Sequence, residues 1–216
     1  MTYFIGDVHG KFRQYRELIR DKKNTIQVGD MGVGFRWAHG PKEGEFTQNP
    51  PFDAMVEGNH RFIRGNHDNP SVCRGHKQWI ADGRVENDTM FIGGAVSIDR
   101  AYRTEGYSWW PDEELSTKEL NELVDKYDDN LPEIMVTHDC PESIAEIMVG
   151  LVPTISNGLA KLDPQHASRS RQAFQSMLDM HRPRLWVYGH WHISFDHVID
   201  GTRFVCLAEL EGKEIE

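Results

Sequence analysis

The chain has 216 residues, of which 38% are hydrophobic and 27% charged, a balance typical of a globular domain rather than a disordered chain. Its 24 basic and 34 acidic side chains give a formal net charge of −10, which disfavours stable binding to nucleic acids and to anionic membranes. Chemistry on phosphate groups remains compatible with this charge, because bound divalent cations can reverse the field locally.

The cysteine content and the hydropathy of the chain bear on its compartment. Three scattered cysteines without a Cys-x-x-Cys pair argue against a disulfide framework and favour a reducing environment. An apolar run begins at Tyr3, which leaves no room for a signal peptide, and no run is long and apolar enough to cross a bilayer. We therefore expect a cytoplasmic protein without membrane association.

Short apolar runs recur along the chain and predict six or seven β-strands. In chain order they are YFIG (3–6), TIQVGD (25–30), RFIR (61–64), TMFIGG (89–94), EIMVT (133–137), RLWVY (184–188) and TRFVC (202–206). Apolar residues at helical spacing follow several of these runs. The pattern therefore predicts strands that alternate with helices in an α/β layered fold.

Helices are predicted after the first strand, after residue 116, and at about 142–149 and 169–181. Ser116 and Glu119 have the spacing of a capping box, which marks the start of the second helix. Residues 33–53 are rich in glycine, proline and charge and are predicted to form a long loop. No repeat or linker divides the chain, so we expect one domain over residues 1–216, in which residues 141–181 form a helical, cap-like insertion.

Polar residues that can bind metals follow at least five of the predicted strands. They are Asp7 and His9, Asp30, Asn66 and His67, His138, and His190 with His192. Because ligands gather at the carboxyl ends of strands in sheets built from β-α units, we expect these side chains to meet at one edge of a sheet. Aspartate and histidine suit Mn²⁺, Fe and Zn²⁺, and the set is too large for one tetrahedral zinc but fits two ions that share a carboxylate. Two such ions clamp a phosphoryl group and make hydroxide from water near neutral pH.

The ordered motifs are similar to those of a known family. GDVHG (6–10), GD (29–30), GNHD (65–68), the single histidine of THD (137–139) and GHWH (189–192) resemble the motif set of the calcineurin-like metallophosphoesterases. Within that family, GDVHG together with RGNH is more similar to the small bacterial and phage phosphoprotein phosphatases and to the diadenosine tetraphosphatases than to nucleases. The resemblance implies a four-layer α/β/β/α sandwich of two mixed sheets flanked by helices, with the site at one edge.

The resemblance also implies a set of protein ligands for each of two divalent transition-metal ions. The first ion would be held by Asp7, His9 and His192, the second by Asn66, His138 and His190, and Asp30 would bridge the two. Mn²⁺ is the expected metal, with Fe, Zn²⁺, Ni²⁺ or Co²⁺ as alternatives.

Two further residues of the GNHD motif are expected to act in catalysis. The resemblance implies that His67 protonates the leaving group, and Asp68 is the adjacent carboxylate that could keep its ring protonated and oriented. The implied mechanism is a direct in-line attack by a metal-bound hydroxide, without a phosphoenzyme.

The sequence departs from the phosphoprotein-phosphatase pattern after its second motif. That branch continues as Gly-Asp-x-Val-Asp-Arg-Gly, whereas here Gly34 occupies the position of the phosphate-binding arginine and Arg36 follows two residues later. Arg100 and Arg103 lie after the fourth predicted strand. Because a guanidinium is well shaped to bind phosphate, we expect these two arginines to contact the substrate.

These features predict a dinuclear metal-dependent phosphoesterase that hydrolyses phosphate monoesters carried by a small molecule, a nucleotide or a phosphoprotein. Hydrolysis of phosphodiesters or dinucleoside polyphosphates is the enzymatic alternative. A non-catalytic interaction module on the same fold is disfavoured, because all seven ligands and His67 are present. A nuclease is disfavoured by the acidic charge and by the absence of a basic stripe.

The triplet Gly-Asn-His occurs twice in the stretch EGNHRFIRGNHD, which covers residues 57–68. The first copy, with Asn59 and His60, precedes the predicted strand, whereas the second copy, with Asn66 and His67, follows it. Only the second copy is expected at the carboxyl end of a strand, so the first is predicted to have no role in metal binding.

Overall fold

The computed structural model describes residues 1–36, 50–151 and 168–216. These residues form ten strands: β1 (Thr2–Ile5), β2 (Thr25–Gln27), β3 (His60–Phe62), β4 (Arg84–Glu86), β5 (Thr89–Ile92), β6 (Ile134–Thr137), β7 (Leu185–Tyr188), β8 (Phe195–Ile199), β9 (Thr202–Cys206) and β10 (Gly212–Ile215). They also form six α-helices: α1 (Phe12–Ile19), α2 (Phe52–Glu57), α3 (Pro70–Cys73), α4 (Thr117–Asn130), α5 (Glu142–Leu151) and α6 (Arg169–Met180). A 3₁₀ turn spans Arg100–Tyr102.

Two mixed sheets form the centre of the fold. The described strands of the first sheet have the order β10-β1-β2-β3, and only the β10-β1 pair is antiparallel. Those of the second sheet have the order β4-β5-β6-β7-β9-β8, with antiparallel pairs at both ends and parallel pairs in the middle. Parallel strands carry their following loops to the same edge, which is what positions the candidate site.

Alternate residues of the central strands face different layers, as the pleat of a strand requires. Phe4 and Val187 lie in an apolar core that contains residues of both sheets. Ile5 instead packs with side chains of α1 and α2, and Trp186 packs with side chains of α4, α5 and α6. Helices therefore cover both outer faces, and the predicted α/β/β/α sandwich of two mixed sheets is confirmed.

The capping box at the start of α4 is also confirmed, since the Glu119 backbone N–H donates to Ser116 Oγ and the Ser116 backbone N–H donates to Glu119 Oε2. The prediction of six or seven strands was too low. The strands that the apolar pattern missed are β4, β8 and β10, which form three of the four sheet edges and pair antiparallel with their neighbours. Edge strands are partly solvated and carry charged residues, so they lack the continuous apolar signal of buried strands.

The two helices of the predicted cap-like insertion pack on the second sheet. Ile144 of α5 and Phe174 of α6 are buried in the same apolar cluster as Trp186 of β7. Residues 152–167 between the helices lie outside the described residues, as does the middle of the predicted long loop, residues 37–49. The cap over the site therefore stays a prediction. None of the described helices is both long and apolar enough to span a membrane.

Candidate metal centre

Every predicted metal ligand lies in a loop that follows the carboxyl end of a strand. Asp7 and His9 follow β1, Asp30 follows β2, Asn66 follows β3, His138 follows β6, and His190 and His192 follow β7. The donor atoms form two groups, each with all of its atoms within 4.8 Å of one another. The first contains Asp7, His9, Asp30 and His192, and the second contains Asp30, His138 and His190. Asp30 belongs to both groups, as a bridging carboxylate would.

The first group brings two imidazoles and two carboxylates together. The Nε2 atoms of His9 and His192 are 2.9 Å apart, and His192 Nε2 is 3.1 Å from Asp7 Oδ2. His9 Nε2 lies 3.7 Å from Asp7 Oδ2 and 3.8 Å from Asp30 Oδ2. Four donor atoms that face one another at these distances are arranged to surround a cation.

The second group is oriented by a backbone carbonyl. His138 Nδ1 lies 2.8 Å from the carbonyl oxygen of Val28, an arrangement in which Nδ1–H donates and the Nε2 lone pair faces the site. His138 Nε2 is 3.2 Å from Asp30 Oδ1 and 3.1 Å from Asn66 Oδ1. His138 Nε2, Asp30 Oδ1 and Asn66 Oδ1 are then all acceptors and cannot form hydrogen bonds with one another. The space between these three atoms therefore requires either a proton or a metal ion. The donor set therefore fits a divalent cation, and it brings Asn66 into the second group.

The pKa shifts of His138 and Asp30 agree with the need for a proton or a metal ion between them. Burial alone would lower the pKa of His138, but the Asp30 carboxylate outweighs it and raises that pKa to about 10. Burial alone would likewise raise the pKa of Asp30, but the neighbouring imidazoles of His67 and His138 hold it well below its ordinary range. The cation-free site thus keeps a proton on His138 beside an ionised Asp30, where a metal ion would supply the positive charge instead.

Cation binding to the second group is expected to release a proton from His138. The raised pKa stabilises the cation-free fold fully below the unfolded value of 6.5, and this stabilisation is lost as the pH rises through about 10. Cation and proton therefore compete below that pH, and the cation affinity should rise by up to about tenfold for each pH unit. Titration calorimetry in buffers of different ionisation enthalpy measures the release, and a binding enthalpy that is independent of the buffer would contradict it.

Four of the ligands have a left-handed backbone conformation that residues other than glycine rarely adopt. The φ angles are +47° for His9, +57° for Asp30, +69° for His190 and +54° for His192. Such strained positions persist where the surrounding structure enforces them, and they cluster at functional sites. The loops therefore accept backbone strain at these four positions, and this strain orients the ligand side chains towards the site.

Two glycines allow the loops to approach the ligands closely, and the sequence analysis did not single them out. A Cβ atom on Gly65 would overlap the backbone nitrogen and Oδ1 of Asp30 and lie 2.7 Å from His138 Nε2. A Cβ atom on Gly189 would overlap Asp7 Oδ1. The sequence does indicate such close approaches, because a glycine immediately precedes Asn66 and His190 in their motifs.

Asp68 joins the loops that follow β2 and β3. Its Oδ1 accepts hydrogen bonds from the backbone N–H groups of Gly32 (2.7 Å) and Val33 (2.8 Å), and its Oδ2 accepts from those of Met31 (3.2 Å) and Gly65 (2.7 Å). Both oxygens are thus engaged by backbone amides, and the expected direct contact with the His67 ring is not among the hydrogen bonds of Asp68. These contacts give Asp68 a positioning role for the two loops that carry Asp30 and Asn66.

His67 lies against the first ligand group and contacts one of the predicted substrate-binding arginines. Its ring stacks on Phe35 with centroids 4.8 Å apart and meets the His9 ring edge-on at 4.6 Å. An Nη2 group of Arg103 contacts His67 Nε2. Burial lowers the pKa of His67 well below its ordinary value, and the charge of Arg103 lowers it further. Arg100 lies in the 3₁₀ turn that precedes Arg103, and no contact places it at the ligands.

The family follows from a comparison of the whole chain. A family model of the calcineurin-like phosphoesterases matches residues 2–194. The chain belongs to the calcineurin-like phosphoesterase family. The family is metal-dependent and acts on phosphate-ester substrates, and the two ligand groups of this chain supply candidate metal-binding residues.

Two solved structures are similar to this chain at low sequence identity. A candidate 5′-nucleotidase from Staphylococcus aureus, in complex with alpha-ketoglutarate, is 10% identical with a TM-score of 0.46, and the match covers 96% of this chain and 48% of that one. GAP50, the anchor in the inner membrane complex of Plasmodium, is 9% identical with a TM-score of 0.40, and the match covers 96% of this chain and 71% of that one. The chain thus spans about half the length of the first structure. No curated protein matches it significantly.

A buried carboxylate that the sequence analysis did not single out supports the second ligand group. Asp139 accepts hydrogen bonds from Arg171 Nε at 2.8 Å and from Trp191 Nε1 at 2.9 Å. Burial alone would raise the pKa of Asp139, but Arg171 and then His190 lower it to about 2. Burial lowers the pKa of His190 to about 4, and the charge of Asp139 opposes that shift. A neutral His190 beside an ionised carboxylate is the form in which an imidazole can bind a metal.

The two Gly-Asn-His triplets lie at opposite ends of β3. Asn59 precedes the strand and donates from Nδ2 to Asn24 Oδ1 at 2.8 Å, while the buried His60 pairs with Thr25 Oγ1 at 3.0 Å. Asn66 follows the strand and lies in the candidate metal centre, with its Oδ1 3.1 Å from His138 Nε2. The position of each copy relative to the strand agrees with the expectation from the sequence.

Replacing Asn66 with alanine is expected to weaken binding of one of two cations, because the substitution removes an oxygen from the second group. Replacing Asn59 with alanine is the matched control. It should lower stability by about 1–2 kcal/mol through its left-handed φ of +45° without changing cation binding. Mn²⁺ titration of both variants measures the contrast, and equal losses of affinity would contradict the assignment of Asn66.

Proposed function

We propose that the chain is a dinuclear metal-dependent phosphoesterase that hydrolyses phosphate monoesters. The observation that carries this proposal is the convergence of two ligand groups on the shared carboxylate of Asp30. A single metal ion would leave one of these groups with clustered donor atoms and no cation between them. The family match over residues 2–194 supports phosphoester chemistry at this place.

The residues of each group would hold one cation. In this proposal the first cation is bound by Asp7, His9 and His192, the second by Asn66, His138 and His190, and both by Asp30. The mixture of imidazole, carboxylate and amide ligands without a thiolate suits Mn²⁺ and tolerates Fe, Zn²⁺, Ni²⁺ or Co²⁺. When bound, such a pair polarises a phosphoryl group and activates water near neutral pH.

Arg103 and His67 are the residues proposed to act on the substrate beside the cations. The side chain of Arg103 is only 3% exposed, and it reaches His67 from the loop after β5. A phosphate group competes with His67 for this guanidinium because it can accept two parallel N–H hydrogen bonds. Binding of the phosphate would remove the positive charge of Arg103 from the ring and add negative charge beside it, and both changes raise the pKa of His67.

His67 is then proposed to give the proton on Nε2 to the oxygen of the leaving group. The stacked ring of Phe35 and the edge of His9 fix the plane of the imidazole, so Nε2 keeps its direction when Arg103 moves. Asp68 contributes indirectly, because it ties the loop that carries His67 to the loop that carries Asp30. A phosphate monoester is favoured because its terminal charges complement two cations and Arg103 together.

The experiment that tests this proposal measures hydrolysis of an aryl phosphate with added Mn²⁺, Co²⁺, Ni²⁺ or Zn²⁺. Activity is expected with at least Mn²⁺ and should disappear with a chelator and in an Asp30→Asn variant purified in parallel. The same assay with an aryl diester, a phosphopeptide, a cyclic nucleotide and a dinucleoside polyphosphate separates monoesterase from diesterase activity. Absence of hydrolysis with all four metals would overturn the enzyme proposal in favour of a non-catalytic module.

A further inference from the structure

We propose that Ser97 and Glu113 orient the amide of Asn66 and thereby set the affinity of the second cation site. The inference rests on the proposed dinuclear centre and deepens it, because it assigns a positioning role to two residues outside the ligand set. Neither residue belongs to a metal-binding motif.

The three side chains form a continuous buried chain of hydrogen bonds. Asn66 Nδ2 lies 3.0 Å from Ser97 Oγ, which in turn contacts Glu113 Oε2. The backbone N–H of Ser97 donates to Glu113 Oε1 at 2.9 Å. Asn66 is 2% exposed, and Ser97 and Glu113 are each 3% exposed, so little water competes for these groups.

The direction of the hydrogen bonds follows from the carboxylate. Burial raises the pKa of Glu113, and the two hydrogen bonds that Glu113 accepts from Ser97 oppose this shift and favour the ionised form. An ionised carboxylate only accepts hydrogen bonds. The Ser97 hydroxyl therefore donates its single proton to Glu113 and can only accept at its other side. The neighbour there must donate, which selects the NH₂ group of Asn66 and turns its Oδ1 towards His138 Nε2, 3.1 Å away.

This direction matters because the two ends of an asparagine amide have similar size and opposite chemistry. The oxygen has lone pairs for a cation, whereas the NH₂ group has none and would direct its protons at the metal. A flipped Asn66 would therefore replace a ligand with a repulsive group. Partners that fix the orientation of a ligand in this way typically change metal affinity by about 10- to 100-fold.

A buried arginine anchors the far end of the chain. Arg64 Nη1 donates to the backbone carbonyl of Glu113 at 2.7 Å, and Arg64 Nε donates to Asp82 Oδ2 at 2.9 Å. Arg64 is 2% exposed and precedes Gly65 and Asn66 in sequence. The arginine of the RGNH motif thus holds the backbone of Glu113, whose carboxylate orients Asn66 through Ser97.

A neighbouring serine–glutamate pair provides a matched control. Glu114 is buried next to Glu113 in sequence, and its Oε1 accepts hydrogen bonds from Ser168 Oγ and from the Ser170 backbone N–H, both at 2.8 Å. Ser168 caps α6 and contacts no metal ligand. Variants of this pair lose buried hydrogen bonds of the same kind, and none of these bonds is made to a metal ligand.

The experiment titrates Mn²⁺ into the protein after removal of metal, for the wild type and for the Ser97→Ala, Ser97→Thr, Glu113→Gln, Ser168→Ala and Glu114→Gln variants. We expect Ser97→Ala and Glu113→Gln to bind one cation with unchanged affinity and the other about 10- to 100-fold more weakly. Ser97→Thr keeps the hydroxyl and should restore the second affinity. The two control variants should bind both cations as the wild type does, even where their melting temperatures fall.

The outcomes separate this inference from the proposed function. If the wild type binds two cations and Ser97→Ala binds both with wild-type affinity, the positioning role is wrong while the dinuclear centre stands. If cation binding weakens equally in the control variants, the loss of affinity comes from a general loss of stability, and the inference is also overturned. A wild-type protein that binds fewer than two cations overturns the proposed centre itself, and the inference with it.

Discussion

Replacing His67 with alanine is expected to leave both cations bound and to slow hydrolysis by about 10²- to 10⁴-fold, the usual contribution of a general acid. The ring contacts His9 and Arg103 but belongs to neither group of converging donor atoms, so its removal should spare the metals. The loss should grow as the leaving group becomes more basic, because a poor leaving group depends most on the donated proton. Rates with a series of aryl phosphates, together with the metal content, test both statements.

An exposed histidine outside the ligand set serves as the control for this variant. His197 lies in the edge strand β8, and its replacement by alanine should change neither the rate nor the metal content. If His67→Ala instead loses metal and slows all leaving groups equally, His67 supports the centre and is not the proton donor.

The position of the ligands could be predicted from the sequence because each motif directly follows an apolar run. Asp7, Asp30 and His138 stand at the ends of strands that are buried on both faces, and parallel pairing brings such ends to one edge. An apolar run followed directly by a ligand motif is a local feature of the sequence, so it can be recognised without knowledge of the packing. The edge strands β8 and β10 lacked that apolar signal and were missed.

The supporting contacts could not be predicted, because they join segments that are far apart in the chain. Asp68 follows His67 directly, and this adjacency suggested a pair, yet both oxygens of Asp68 accept from backbone amides, three in the loop after β2 and one in its own loop. Successive residues of a loop send their side chains in different directions, so neighbours in sequence need not meet. The contacts of Ser97 with Glu113 and of Arg103 with His67 likewise depend on the path of the loop after β5.

Replacing Gly65 with alanine is expected to abolish binding of both cations, a larger loss than removal of any one terminal ligand. The new methyl group would overlap Asp30, the ligand shared by both groups, and would also crowd His138 at 2.7 Å. Relief requires movement of the loop after β2 or of the loop after β3, and Asp68 ties these loops together through four backbone amides. Overpacking of this kind typically costs about 1–3 kcal/mol, which lowers Tm by roughly 2–4 °C per kcal/mol in a chain of this length.

The control for Gly65→Ala is the same substitution in α5. Among the described residues, a Cβ atom on Gly150 meets no atom within 4 Å, so Gly150→Ala should stabilise the protein by about 0.4–1 kcal/mol and leave Mn²⁺ binding unchanged. Calorimetric titration with Mn²⁺ and thermal unfolding of both variants measure the contrast. If Gly65→Ala still binds two cations with wild-type affinity, the close approach of this loop to Asp30 is not required for the centre. Steric crowding, rather than backbone freedom, is the cause under test, because Gly65 has no positive φ angle.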